Sequence, residues 1–227
     1  MIKTNRYAGS ELDRSTQSFP VSSYPNSYTY NIFIQESLQS PEDFIDAIAA
    51  LGMAGENDKV VLHLNCEGGS LDAVDTLLMA MNTCEGTIHV VGTGIIASAA
   101  TLILLGADSF ELSPYCNLLF HSASFGMGAK SVDVLDYSKF MHDQTEKLMT
   151  DFYKGVLTDA EIKDIIYNKK ELWMTAKEFS ERYTKHMDEL KAEALQKPQG
   201  GFTKEDLEGL SQEELINLIL MDEVFEE

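Results

Sequence analysis

Ser98 stands inside VVGTGIIASAATLILLGAD, Val90–Asp108, a run of mostly small and apolar residues. A serine in such a run is filler, a helix cap or a nucleophile, and Ala-Ser-Ala-Ala alone suits a crowded core. Three further features turn the reading toward chemistry. The serine follows a strand and a turn holding Gly92 and Gly94, which puts it at a helix start, where free amides and the dipole favour negative charge. The amide of the next residue, Ala99, then sits where a developing oxyanion needs a donor. Upstream, CEGGS (Cys66–Ser70) ends another strand, and the paired Gly68 and Gly69 let backbone amides come close to a bound carbonyl, as a second donor must. Finally, His121 closes the strand NLLFH, and the carboxyl edge of an open α/β sheet is where ligands gather. Of the five histidines it alone has this setting: His63 and His89 lie within strands, His142 and His186 on helices. A nucleophile, a base and amide donors are the parts of an acyl-transfer site.

These residues need a frame to hold them. YTYNIFIQ has the aromatic and β-branched composition of a strand. SPEDFIDAIAALGMAGEND follows as a helix, with Ser40 as N-cap, Pro41 at its first position and Asp43 in its first turn. KVVLHLN reads as a buried strand, and LDAVDTLLMAMNTC as a helix with Leu71, Val74, Leu77, Leu78 and Met81 at helical spacing. TIHVVG, SFELS and CNLLFH are further strands, and a long helix runs through SVDVLDYSKFMHDQTEKLMTDFYKGV, residues 131–156. TDAE (Thr158–Glu161) and TAKE (Thr175–Glu178) are capping boxes that open two more helices. Strands alternating with helices predict an α/β domain with parallel strands.

Bulk composition narrows the function. A chain of 227 residues with net charge −20 and no basic stripe is no nucleic-acid binder. The longest apolar run, Ile95–Ala107, falls short of the ~20 residues that span a bilayer, so no membrane segment is expected. The three cysteines lie far apart with no CxxC, and the polar start has no signal-peptide core, so free thiols and a cytoplasmic location are expected. Three segments are expected: an irregular arm over 1–27, the α/β domain over 28–196, and a linker with an acidic tail over 197–227. From Thr203 onward nine acids face one base. There SQEE opens a short helix carrying Leu215, Ile216, Leu218, Ile219 and Leu220, an apolar face that docks either on a partner surface or on its own domain.

Together these motifs resemble the ClpP-like serine peptidases, the proteolytic subunits of Clp proteases. The family's strand followed by N-x-P-G-G-S and a helix is similar to LNCEGGSLDAVDTLLMAM, and its G-x-A-A-S-x-A segment to GIIASAATLILLGAD, with Ser98 at the nucleophile. Its R-x-M-I-H-Q strand resembles NLLFHSAS, with His121 at the base, and its handle resembles the long helix. The family's last triad member precedes an aromatic-x-S/T-A-x-E stretch, here ELWMTAKEF, which puts Glu171 in that role; Asp164 is the runner-up. The chain departs from the pattern at Glu67, where the family has proline, at Ala99, where it has methionine, and at Glu171, where it has aspartate. The N-terminal arm does not carry the family's axial-loop sequence.

The resemblance implies a ClpP/crotonase-like fold of repeated β-β-α units with a protruding handle helix. It implies a serine endopeptidase that cleaves unfolded polypeptides inside a chamber of rings. Ser98 attacks, His121 carries the proton, Glu171 orients the imidazole, and amides of Gly68 or Gly69 and of Ala99 form the oxyanion hole. No cofactor or metal is expected, and no P-loop is present. The implied partners are further copies of the chain, in heptameric rings stacked as a tetradecamer, and an AAA+ unfoldase that feeds polypeptide substrates. Two alternatives stand beside this: a catalytically silent ring subunit acting as scaffold or regulator, and a crotonase-type acyl-CoA enzyme.

Overall fold

The structure, a computed structural model, describes residues 27–128, 130–196 and 206–221. The expected N-terminal arm and the linker after residue 196 lie outside the described residues. Parallel strands β1 (Thr29–Ile34), β2 (Lys59–Cys66) and β3 (Thr87–Ala97) form one half of a six-stranded sheet. The other half is β5 (Asn117–Phe120), parallel to β3, and β6 (Leu172–Thr175), antiparallel to β5. A short strand β4 (Ser109–Leu112) pairs with the first half of β3. The helices are α1 (Ile45–Met53), entered through a 3-10 turn at Pro41–Phe44, α2 (Leu71–Asn82), α3 (Ala100–Leu105), α4 (Ser131–Tyr153), α5 (Asp159–Asn168), α6 (Ala176–Gln196) and α7 (Gln212–Met221). This is a mixed α/β sheet with a protruding helix, as the motifs imply.

The sequence dictates these elements locally. In β2 every second residue (Val60, Leu62, Leu64, Cys66) is buried, while Val61 and His63 are half-covered on the opposite face. Thus β2 is buried on one face rather than both. Leu77 of α2, Leu102 and Ile103 of α3, Leu118 and Phe120 of β5 and Phe179 of α6 share the principal core with it. Full burial of each such side chain is worth about 1.5–3 kcal/mol. The Asp43 carboxylate accepts from the amides of Ser40 (2.9 Å) and Gln39 (3.0 Å), closing the entry to the first helix. Thr158 and Glu161 cap α5 reciprocally. At α6 the box is half made: Thr175 Oγ1 accepts from the Glu178 amide at 3.2 Å, but the Glu178 carboxylate turns to Arg182 instead.

Three sequence expectations change. Gly92 and Gly94 do not form a turn after β3; they lie within it, and the strand continues to Ala97. Gly94, at φ +61°, kinks the strand where the β2 register slips between Leu64 and Cys66. Asn65 bridges the kink, its Oδ1 accepting from the Ile95 amide at 3.0 Å, and a Cβ on Gly94 would stand 2.5 Å from that oxygen. Second, β6 is a strand that no periodicity announces, since four residues are too few to show one. Third, the long helix ends at Tyr153, and Gly155 at φ +89° turns the chain toward α5. Only the C-terminal half of α4 meets the core, through Thr145, Met149 and Tyr153; Val132, Leu135 and Phe140 are exposed.

Of its two destinations, the tail helix takes its own chain. Leu207, Leu215 and Ile219 form a second, smaller cluster with Leu190 and Ala194 of α6. Among the described residues no helix is long and apolar enough to cross a membrane.

Candidate active site

Strand β3 delivers Ser98 one residue past its end, and the serine occupies a left-handed backbone conformation at φ +56°. A non-glycine residue pays for this geometry, and such strain collects at functional turns. The turn is held from both sides. The Ser98 amide donates to the Leu119 carbonyl of β5 at 2.9 Å, while its own carbonyl accepts from the Thr101 amide (3.0 Å) and the Thr101 hydroxyl (2.6 Å). Helix α3 is a six-residue segment, so individual amides rather than a long helix dipole supply polarity at this point.

The glycine loop lies directly against this turn. A Cβ on Gly68 would stand 2.6 Å from the Ala97 carbonyl oxygen, 2.7 Å from Ser98 Cβ and 3.0 Å from the Ala99 amide nitrogen. With φ at +94° and +149°, Gly68 and Gly69 adopt backbone that other residues rarely reach. Beside Gly69, a side chain would overlap the Leu38 carbonyl. The loop is braced by Leu38, whose amide donates to the Gly68 carbonyl at 2.9 Å and whose carbonyl accepts from Ser70 at 2.7 Å. The Gly68 amide is occupied, donating to Cys66 Sγ at 3.3 Å. Burial raises the Cys66 thiol, so it stays protonated and donates to the Glu36 carbonyl at 3.1 Å. Among the described residues the amides of Gly69 and Ala99 have no hydrogen-bond partner, so both are free to donate. Glu67, at the family's proline position, is exposed on the same loop.

Ser98 and His121 face one cavity of about 530 Å³, which Gly68, Gly69 and Ala99 also line. Phe125, Met141, Leu148 and Met149 contribute apolar side chains to its lining, beside Tyr137 and Thr145. A larger cavity of about 720 Å³ lies along β1 and α1, away from these residues. Glu171 does not line the Ser98 cavity, yet the sheet brings it close to His121. Phe120 pairs with Leu172 at the end of the antiparallel β5–β6 ladder, and His121 and Glu171 are the residues next beyond that last pair. Among the described residues, however, Ser98 Oγ, the His121 ring and the Glu171 carboxylate take part in no hydrogen bond. Asp164 is engaged elsewhere: its carboxylate accepts from Asn168 Nδ2 (2.9 Å) and Lys170 Nζ (3.2 Å), contacts that hold it below its usual pKa. His63 and His89 are tied to Asn31 (3.0 Å) and Ser109 (2.8 Å).

The sequence reading missed two polar residues at this site. Tyr153, at the end of α4, places its hydroxyl 2.7 Å from Thr101 Oγ1, and its ring meets Phe120 edge-on at 5.1 Å. Both Thr101 and Tyr153 are buried, and burial pushes the phenol up to about 12. Because they are 52 residues apart, no local motif joins them.

Comparison with known proteins gives this arrangement a family. The family model described as Clp protease matches residues 28–183. The chain belongs to the Clp protease family. It is 30% identical over 76 residues to an ATP-dependent Clp protease proteolytic subunit of Ostreococcus tauri, a stretch covering 33% of this chain and 38% of that one. It is 27% identical over 92 residues to the ATP-dependent Clp protease proteolytic subunit 2 of Borreliella burgdorferi, covering 39% and 46%. A proteolytic subunit of Paracoccus denitrificans is 25% identical over 109 residues, covering 44% and 54%. The chain thus aligns with about half or less of each of these Clp subunits, and at low identity.

Proposed function

We propose that the chain is a serine endopeptidase of the Clp type, with Ser98 as nucleophile and His121 as general base. One observation carries the reading: a serine in a strained left-handed turn shares a cavity with a strand-end histidine, and one amide of the adjoining glycine loop and one of the turn itself are free to donate. Ser98 Oγ adds to the peptide carbonyl carbon while His121 takes its proton. The carbonyl oxygen becomes an oxyanion between the amides of Gly69 and Ala99, each such donor worth about 3 kcal/mol. The C–N bond then breaks, and the leaving amine takes the proton back from His121. Water, deprotonated by the same histidine, hydrolyses the acyl ester and restores the serine. Glu171 holds the imidazole in the tautomer that presents its free nitrogen to Ser98.

The apolar side chains among the cavity's polar lining suit polypeptide, which offers both backbone polar groups and apolar side chains. The exposed apolar residues of α4 suit contact with further copies of the chain. We infer a homo-oligomeric ring assembly served by a separate ATP-driven unfoldase, the nucleotide dependence being carried in the relatives' names. The unbonded Ser98–His121–Glu171 set favours a second reading, a ring subunit without activity.

Intact mass after exposure to a fluorophosphonate separates the two. A single adduct on wild type and none on Ser98→Ala is the expected result. No adduct on a folded, assembled wild type would establish the silent subunit.

A further inference from the structure

We propose that Thr101 and Tyr153 are positioning residues that fix the Ser98 turn and couple it to the strand carrying His121. The proposal rests on the reading of Ser98 as nucleophile. A left-handed residue persists only where its surroundings over-determine it. Here the Thr101 hydroxyl donates to the Ser98 carbonyl at 2.6 Å. That hydroxyl has one proton and has spent it, so at the 2.7 Å contact Tyr153 must be the donor and Thr101 Oγ1 the acceptor. The result is a directed chain, from Tyr153 Oη–H to Thr101 Oγ1 and from Thr101 Oγ1–H to the Ser98 carbonyl. Both members are buried, so water does not compete, and each link polarises the next.

Tyr153 also reaches the other half of the site. Its ring packs edge-on against Phe120, the residue immediately before His121. One side chain from the end of α4 therefore touches the element behind the nucleophile and the element behind the base. Displacement of this tyrosine moves Ser98 relative to His121, and misplacement on the order of 1 Å costs about 100-fold in rate. The β3–β5 ladder, with Ala97 opposite Leu119, and the Ser98 amide bond to Leu119 join the two strands through their backbones, and Tyr153 adds a side-chain brace across the same junction.

The test measures the rate of fluorophosphonate addition at Ser98 and the exchange of the Thr101 amide hydrogen, on wild type, Thr101→Val, Thr101→Ser and Tyr153→Phe. Melting temperature controls for folding. Thr101→Val is expected to slow labelling by about 10- to 100-fold, Tyr153→Phe by less, and Thr101→Ser by no more than about threefold, since serine keeps the hydroxyl. Exchange of the Thr101 amide accelerates in the first two and not in the third. Labelling and exchange unchanged in Thr101→Val overturn the proposal. Should that variant fail to fold, Tyr153→Phe carries the same comparison, with unchanged labelling and exchange again the overturning result. A wild type that takes no label sinks the nucleophile reading instead. The exchange pattern then decides alone: protection kept without the hydroxyls overturns the positioning role, and protection lost supports it.

Discussion

At the scale of single residues, the site is built on backbone that admits few substitutions. Gly68→Ala adds a methyl within 2.6 Å of the Ala97 carbonyl oxygen at φ +94°, so the loop must move away from Ser98. The expected outcome is a stability loss of about 1–3 kcal/mol in a urea melt, together with lost fluorophosphonate labelling. Glu171 and Asp164 are distinguished just as directly. Glu171→Gln should slow peptide hydrolysis at least about 100-fold while leaving the fold intact, whereas Asp164→Asn, which loses only exposed contacts to Asn168 and Lys170, should leave the rate within about twofold. Equal effects of the two would remove Glu171 from its role. Ser98, His121 and the glycine pair stand out as candidates in the sequence because their residue types and order suit chemistry, and they line one cavity. Thr101 and Tyr153 were not, because a contact between two hydroxyls 52 residues apart leaves no local pattern.

Among the elements, α5 and α6 are joined by a clamp. Arg182 donates to Glu161 through both terminal nitrogens (2.8–3.1 Å) and to Glu178 at 2.9 Å. Burial alone would raise the Glu161 carboxyl, but hydrogen bonds from Arg182 and Thr158 outweigh it and hold the group below its ordinary value of 4.5. A carboxyl depressed in the folded state contributes stability above its unfolded pKa and loses it as pH falls through the folded one. Arg182→Ala should therefore cost about 1–2 kcal/mol at pH 7, and the difference from wild type should shrink in urea melts at successively lower pH below 4.5. A constant gap across that range would show that Arg182 acts by packing alone. The helices were legible from caps and spacing. Strand β6 was not, being four residues long, and the course of β3 was misread because Gly92 and Gly94 mark a kink in a strand as readily as a turn.

For the molecule as a whole, acid should also act through a buried histidine. His186 is buried on α6, its Nε2 has no hydrogen-bond partner among the described residues, and its ring occupies the space that a side chain at Gly155 would need. Burial lowers its pKa, Glu189 opposes this and Lys154 adds to it. The unfolded chain then binds the proton more tightly than the folded one, so stability should fall as pH drops below 6.5 toward the lower folded value. His186→Leu should flatten that part of the profile in thermal melts, and an unchanged slope would assign it to other groups. At this scale the sequence left one matter open: an apolar helix face says that something covers it, not which surface does. The described chain answers with α6, and the answer bears on how the protein comes apart. Among the described residues the α6–α7 cluster holds five buried side chains, apart from the principal core. The single tryptophan, Trp173, lies on β6 and reports only on the sheet, while far-ultraviolet circular dichroism counts α7 as well. In urea the ellipticity should therefore begin to fall before the fluorescence moves, and the two curves should superimpose once the chain is cut back to residue 196.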